Sequence, residues 1–184
     1  MIFSSLIFLY ALLPLCMLCY AFCRSLQSKN ICLLIFSLIF YTWGEPKYVL
    51  LLLAMSFFDW FFALRIQRID KSRKKERKFW LVMACVVNLG LIGYFKYSKM
   101  IFATFGHVPE FISRIALPLG ISFYTFQLLS YVIDVYRGDA EAQEEYWHVL
   151  LFAALYHQCI AGPIVRYKLI AHELFVERDD RAEV

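Results

Sequence analysis

The residue of this chain best placed to move a proton is a histidine deep in an apolar run. There are four histidines, His107, His148, His157 and His172. Only His157 lies deep in an apolar segment, and it stands beside a broken helix. A general base that takes a proton from a hydroxyl is the commonest catalytic use of the residue. The competing reading is an imidazole hydrogen-bonded to a neighbouring carbonyl, as ionisable groups held inside a membrane are. The other three histidines read as loop or interface residues. Serine-nucleophile chemistry is excluded by motif, since no G-x-S-x-G elbow occurs. A P-loop and the zinc-binding H-E-x-x-H helix are absent as well.

Further polar groups lie where apolar ones are expected. Leu117 to Gln127 is nearly all apolar, yet Pro118 and Gly120 break its start, and Ser122, Thr125 and Gln127 add two hydroxyls and an amide. A second broken stretch runs from Ile160 to Tyr167 through Gly162-Pro163. Irregular backbone cannot face lipid with unpaired N–H and C=O groups, so such breaks line cavities. Gln127 and Ser130 share a helical face with Tyr131 and Asp134, a stripe suited to a polar path. Asp134 and Arg137 are spaced to pair near a helix end. Asp59, inside Phe57–Phe62, costs about 3 kcal/mol near mid-bilayer. An interhelical hydrogen bond, with Asn88 as partner, is its favoured role, and a tunnel-lining acid the alternative.

The elements that hold these groups must be membrane helices. Hydrophobic residues make up 61% of the 184, and mean hydropathy is +0.60, outside the range of a soluble domain. Helices of a soluble bundle would each carry a polar stripe, and these do not. The formal charge of +4 is concentrated: between Arg65 and Lys78, eight basic residues face two acidic ones, net +6, leaving −2 elsewhere. One basic loop between apolar segments follows the positive-inside rule rather than the dispersed basic face of a nucleic-acid binder. Cys16, Cys19 and Cys23 fall on one helical face, but no histidine or carboxylate accompanies them. A zinc site is therefore not expected, and no metal is assigned.

The pattern predicts a single all-α membrane domain over 1–184, a polytopic bundle with broken or re-entrant helices. Spans are expected at 3–23, 31–43, 48–64, 79–95, 111–136 and 147–163, with Asp139–Glu145 an exposed acidic linker. The thirteen-residue second run covers only about 20 Å of a core of about 30 Å. Met1–Cys23 lacks a basic start and a small-x-small cleavage site, and is expected to remain as an anchor. Loop 65–78 and the Arg24/Lys29 loop should lie in the cytoplasm, with the N-terminus and the Gly44–Lys47 turn outside.

Four blocks resemble the membrane-bound O-acyltransferase family, in its bacterial alginate O-acetyltransferase and D-alanyl-transfer branch. They are Phe40 to Tyr48, Leu91 to Tyr97, Leu117 to Gly138, and Gln158 to Tyr167 with its Gly162-Pro163-Ile164-Val165-Arg166-Tyr167 end. They occur in the family's order. The resemblance implies a multi-helix enzyme of the bacterial inner membrane. Such an enzyme moves an acyl group, here acetyl, from a cytoplasmic thioester donor through a tunnel to hydroxyls of an exported polysaccharide. The donor is a substrate, and no bound cofactor is implied. Implied partners are the lipid bilayer, periplasmic polysaccharide-modification proteins in the alginate branch, and a small acyl carrier protein in the other. Gln127, Gln158 and Arg166 are then expected to line the tunnel and orient donor or acceptor. Arg166 would pair with a donor phosphate or a sugar carboxylate.

The chain departs from the family in one respect. The family's catalytic histidine follows the Gly-Pro-Ile-Val-Arg-Tyr block, and no residue here corresponds to it. His157 stands where the family has proline, so it is a weak candidate for that base. The expectation is an N-terminal portion, inactive alone, completed by the remainder of the acyltransferase or by a second polypeptide. The alternative is a non-enzymatic membrane adaptor or transporter-like bundle derived from a decayed acyltransferase.

Overall fold

A computed structural model describes residues 6–104, 106, 109–113, 116–155 and 166–175. Among them the chain forms eight helices and no strand. They are α1 (Phe8–Phe22), α2 (Leu26–Gly44), α3 (Val49–Arg68), α4 (Lys74–Thr104), α5 (Glu110–Ser113), α6 (Ile121–Arg137), α7 (Tyr146–Ala154) and α8 (Tyr167–Phe175). Two of them, α3 and α4, are long and apolar enough to cross a membrane by length and composition.

The helices start and stop where local chemistry directs, and several overrun the apolar segments. The second helix begins at Leu26 instead of residue 31, because the Ser25 hydroxyl caps it by accepting from Ser28 N–H at 3.1 Å. Its nineteen residues reach about 28 Å. The third helix carries Arg65 and Arg68 in its last turn, where cations oppose the negative helix end. Pro14 stands just inside the regular part of α1, and the turn before it, Phe8–Leu12, is wound as a π-helix that accommodates the missing N–H. A second π turn at Gly93–Tyr97 interrupts α4.

The core forms where α3, α4, α6 and α7 meet. Leu52, Ala63 and Ile66 of α3, Ala84 of α4, Tyr124, Leu128 and Tyr131 of α6, and Val149 and Phe152 of α7 are fully buried. Much of the outer surface is apolar as well, with Leu9, Leu18, Phe79, Val86 and Met100 among the exposed side chains. A chain that is apolar both inside and outside is built for lipid.

Within this core, Asn88 of α4 donates from Nδ2 to Asp59 Oδ1 at 2.8 Å and Oδ2 at 3.0 Å, and to its own helix at Ala84 O at 2.9 Å. Both side chains are about 1% exposed. The expected interhelical bond is therefore present. The expected Asp134–Arg137 pair is not. Asp134 is buried and Arg137 exposed, because the helix winds the two side chains to different sides of the core boundary.

Arg77 closes the basic end of the bundle. Its Nε donates to Ile66 O at 3.2 Å and its Nη2 to Tyr136 O at 2.8 Å, and the guanidinium lies 5.2 Å from the Tyr136 ring centre. One side chain thus caps the orphan carbonyls of both α3 and α6. In the adjoining turn, Ser72 N–H donates to Asp70 Oδ1 at 2.8 Å, and bonds from Ser72 hold this exposed carboxyl below its usual range.

Removing one partner of the Asp59–Asn88 pair strands a buried polar group. Asn88→Leu should cost about 2–3 kcal/mol. The double change Asp59→Leu with Asn88→Leu should recover most of it, since apolar replacement of both partners is nearly neutral. Thermal unfolding midpoints of the three variants in mild detergent check this.

Candidate functional site

Two irregular segments adjoin the buried polar face of α6, and side chains from other helices hold both. The first is the break at 116–120. Gly120 takes φ 72°, a left-handed turn that an L side chain rarely adopts, and this allows α6 to begin at Ile121. The extended backbone before it is met by the turn between α2 and α3. Leu119 N–H donates to Glu45 Oε2 at 2.8 Å, Tyr41 OH donates to Leu119 O at 3.1 Å, and Tyr48 OH donates to Ala116 O at 2.9 Å. Tyr41 also meets Tyr124 of α6 edge to face at 6.4 Å. Two of the sequence blocks, Phe40–Tyr48 and Leu117–Gly138, are thus two sides of one joint.

The second segment is 139–145, between α6 and α7. It was expected to be an exposed acidic linker, and only its acids are exposed. Gly138 at φ 81° ends α6, and Asp139 N–H returns to Asp134 O at 2.9 Å. The chain then descends along α3. Ala142 N–H donates to Gln67 Oε1. Trp60 Nε1 donates to Gln143 O at 2.9 Å, and Tyr146 OH to Leu53 O at 3.0 Å. From Gln67 to Leu53 is about 21 Å along a helix axis. The helix that follows, α7, has nine residues and begins at this depth. Those nine are too few to cross a core of about 30 Å. The rest of the expected 147–163 span lies outside the described residues.

Gln143 is the centre of this segment. Its N–H donates to Tyr131 OH at 2.9 Å, its carbonyl accepts from Trp60, and its side-chain Oε1 stands 2.8 Å from His148 Nδ1. His148 Nε2 is 3.8 Å from the Glu145 carboxylate. Three groups, from α3, α6 and α7, therefore converge on one amide residue. Sequence reasoning passed over Gln143 and placed His148 at an interface. The available signal was a neutral amide among acids, flanked by aromatic residues that can donate from a ring nitrogen or a hydroxyl.

The sequence-derived candidates are only partly brought together. Gln127 is buried on α6, 2% exposed, one turn before Tyr131. Arg166 is exposed at the head of α8, where its carbonyl accepts from Leu169 N–H at 3.1 Å. The Tyr131 and Tyr167 rings meet edge to face at 4.7 Å and join the two regions. His157, Gln158 and the Gly162-Pro163 break lie outside the described residues, as does His107. No group of three or more His, Cys, Asp or Glu side chains that could hold a metal ion occurs among the described residues. What the arrangement offers is a set of fixed hydroxyl, amide and carboxylate groups beside irregular backbone.

Glu45→Ala should free the Leu119 N–H, cost about 1–3 kcal/mol, and speed amide exchange at Leu119. Glu45→Gln keeps an acceptor oxygen and should lose less than half of that. Gln143→Ala keeps the backbone bonds to Tyr131 and Trp60 and removes only the contact with His148, so it should lower the thermal unfolding midpoint by the equivalent of about 0.5–1.5 kcal/mol.

No family model matches this chain, and no solved structure matches it. Curated relatives do. The chain is 38% identical over 176 residues to a probable alginate O-acetylase AlgI of Pseudomonas aeruginosa, covering 91% of this chain and 33% of that protein. It is 37% identical over 175 residues to a probable alginate O-acetylase AlgI of Azotobacter vinelandii, covering 91% and 35%. A peptidoglycan O-acetyltransferase of Helicobacter pylori is 27% identical over 198 residues, covering 91% and 37%. The chain spans about a third of the length of the curated relatives it matches. The resemblance to the membrane-bound O-acyltransferase family, in its alginate O-acetyltransferase branch, therefore holds across nine-tenths of this chain.

Proposed function

We propose that this chain forms one wall of an acyl-transfer conduit, as part of an O-acetyltransferase acting on an exported polysaccharide. The joint between the Gly44–Lys47 turn and the 116–120 break supports this reading most directly. Non-helical backbone at membrane depth is tolerated where protein encloses it or where it lines a water-filled cavity. Through Tyr41 this joint packs against Tyr124, one turn before Gln127 on α6. The exposed acids Glu144 and Glu145, sunk alongside α3, point the same way, because carboxylates at that depth face a wet cavity or the bundle interior.

In this reading the donor is an acyl thioester that approaches from the cytoplasm, on the side of loop 65–78. The acceptor hydroxyl approaches from outside, by the Gly44–Lys47 turn. Gln127 and Gln158 orient the reacting groups, and the Arg166 guanidinium pairs with a donor phosphate or a sugar carboxylate. The hydroxyl must lose a proton as the acyl carbon is attacked, and a general base takes it. That base is a histidine from the portion of the enzyme that this chain does not match, carried on the same polypeptide or on a second one. His157 is not that base. The bilayer of the inner membrane surrounds the assembly, and periplasmic polysaccharide-modification proteins or a carrier protein complete it.

Two measurements test the proposal. In cells where the assembly is active, Gln127→Ala and Arg166→Ala should each lower polysaccharide O-acetylation by about tenfold or more while the protein still accumulates in the membrane. The purified chain alone should transfer no acetyl group, and normal turnover by it would sink the reading. For orientation, trypsin should cut within 65–78 in inside-out vesicles and spare that loop in intact spheroplasts.

A further inference from the structure

The clasp that Arg77 makes between α3 and α6 does not use all of its donors. Nε and Nη2 are engaged at Ile66 O and Tyr136 O, and the Nη1 group makes no bond among the described residues. Arg77 lines a pocket of about 230 Å³ at the basic end of the bundle, with Gln67 and Lys71 beside it and Glu141 as the acid of the lining. Ile69 and Val135 give the pocket apolar wall. Gln67 Oε1 accepts from Ala142 N–H, so its amide nitrogen keeps its donors. Lys71 and Glu141 are exposed, and neither makes an ion pair among the described residues.

The acceptors nearby are already taken. At the two helix ends Arg65 O accepts from Ile69 N–H, Val135 O from Gly138 N–H and Asp134 O from Asp139 N–H. The carboxylate of Asp70 is met by Ser72 N–H, and that of Asp139 by the Lys168 ammonium at 3.7 Å. Two residues before Gln67, the Arg65 guanidinium stands 4.9 Å from the Phe61 ring centre and 5.9 Å from that of Trp80. Basic side chains lying against aromatic rings at the end of an apolar helix mark the level of lipid headgroups.

We infer that this pocket binds the phosphoethanolamine headgroup of a membrane lipid. The phosphate accepts from Lys71, Arg77 and Gln67, and the headgroup ammonium meets Glu141. Phosphate oxygens are strong acceptors for guanidinium and ammonium donors, and basic pockets between membrane helices take lipid headgroups. The carboxylate decides which headgroup. It repels a phosphate that comes alone and attracts one that carries a cation on a short arm. The pocket thus has both signs of charge, unpaired with each other, as a zwitterion requires.

The binding is read with no acetyl donor present, so it stands or falls separately from acyl transfer. The full chain is purified in mild detergent with phosphatidylethanolamine and phosphatidylglycerol in equal parts, and retained lipid is counted by native mass spectrometry. The expected result is one phosphatidylethanolamine per chain, favoured about fivefold over phosphatidylglycerol. Lys71→Ala should weaken retention about fivefold. Glu141→Gln should erase the preference between the two lipids. Both positions are exposed, and circular dichroism verifies that the variants fold. Inorganic phosphate and soluble phosphoethanolamine, each at the concentration of the lipid, should not displace it, because the acyl chains add apolar burial that the soluble groups lack. No retained lipid, equal retention of the two lipids by the unaltered chain, undiminished retention in Lys71→Ala, a preference that survives Glu141→Gln, or displacement by either soluble phosphate would each overturn the inference.

Discussion

In an apolar surrounding every backbone N–H and C=O needs a partner, and the architecture of this chain follows from that demand. Helices meet it internally. The segments at 116–120 and 139–145 are not helical, and each is satisfied by side chains sent from elsewhere. The first takes Tyr41, Glu45 and Tyr48 from the end of α2 and the start of α3. The second takes Gln67 and Trp60 from α3, and its N–H donates to Tyr131 of α6. Irregularity at one place therefore requires particular polar residues at another, far away in sequence. This is why an apolar chain keeps a glutamate in its α2–α3 turn and a glutamine near the end of α3.

That same demand separates what was legible in the sequence from what was not. The break at Pro118 and Gly120 could be read directly, because those two residue types cannot continue a helix there. The Asp59–Asn88 bond could be read because an isolated charge in an apolar run leaves few alternatives. The descent of 139–145 could not. Its acids suggest solvent, and composition alone carries no information about depth. The partners that draw it down, Trp60 and Gln67, lie more than seventy residues earlier. Helix ends were misjudged for a related reason. Apolar runs mark what contacts lipid, whereas caps such as Ser25 and basic residues such as Arg65 mark where helices start and stop.

The candidate site was legible in part. Gln127 is buried on α6, and Arg166 lies at the surface beside a tyrosine that reaches the same region. Gln143 escaped notice because its importance is geometric: an amide can accept and donate at once, and here its backbone does so as well. The chain matches about a third of the length of its relatives, and within that part its own side chains hold both irregular segments. The position of the irregular segments depends on polar joints between helices, not on the apolar contacts that supply most of the burial.

Arg77 has a bearing on how the bundle is assembled. The hairpin of α3 and α4 leaves the ribosome before α6, and it already contains one of the two carbonyls that this guanidinium binds, at Ile66. The other, at Tyr136, is made about sixty residues later. Until then the clasp is half filled, with an unspent donor at the basic end of the hairpin. The basic loop therefore holds a latch for a helix still to be synthesised, so order of synthesis becomes order of docking.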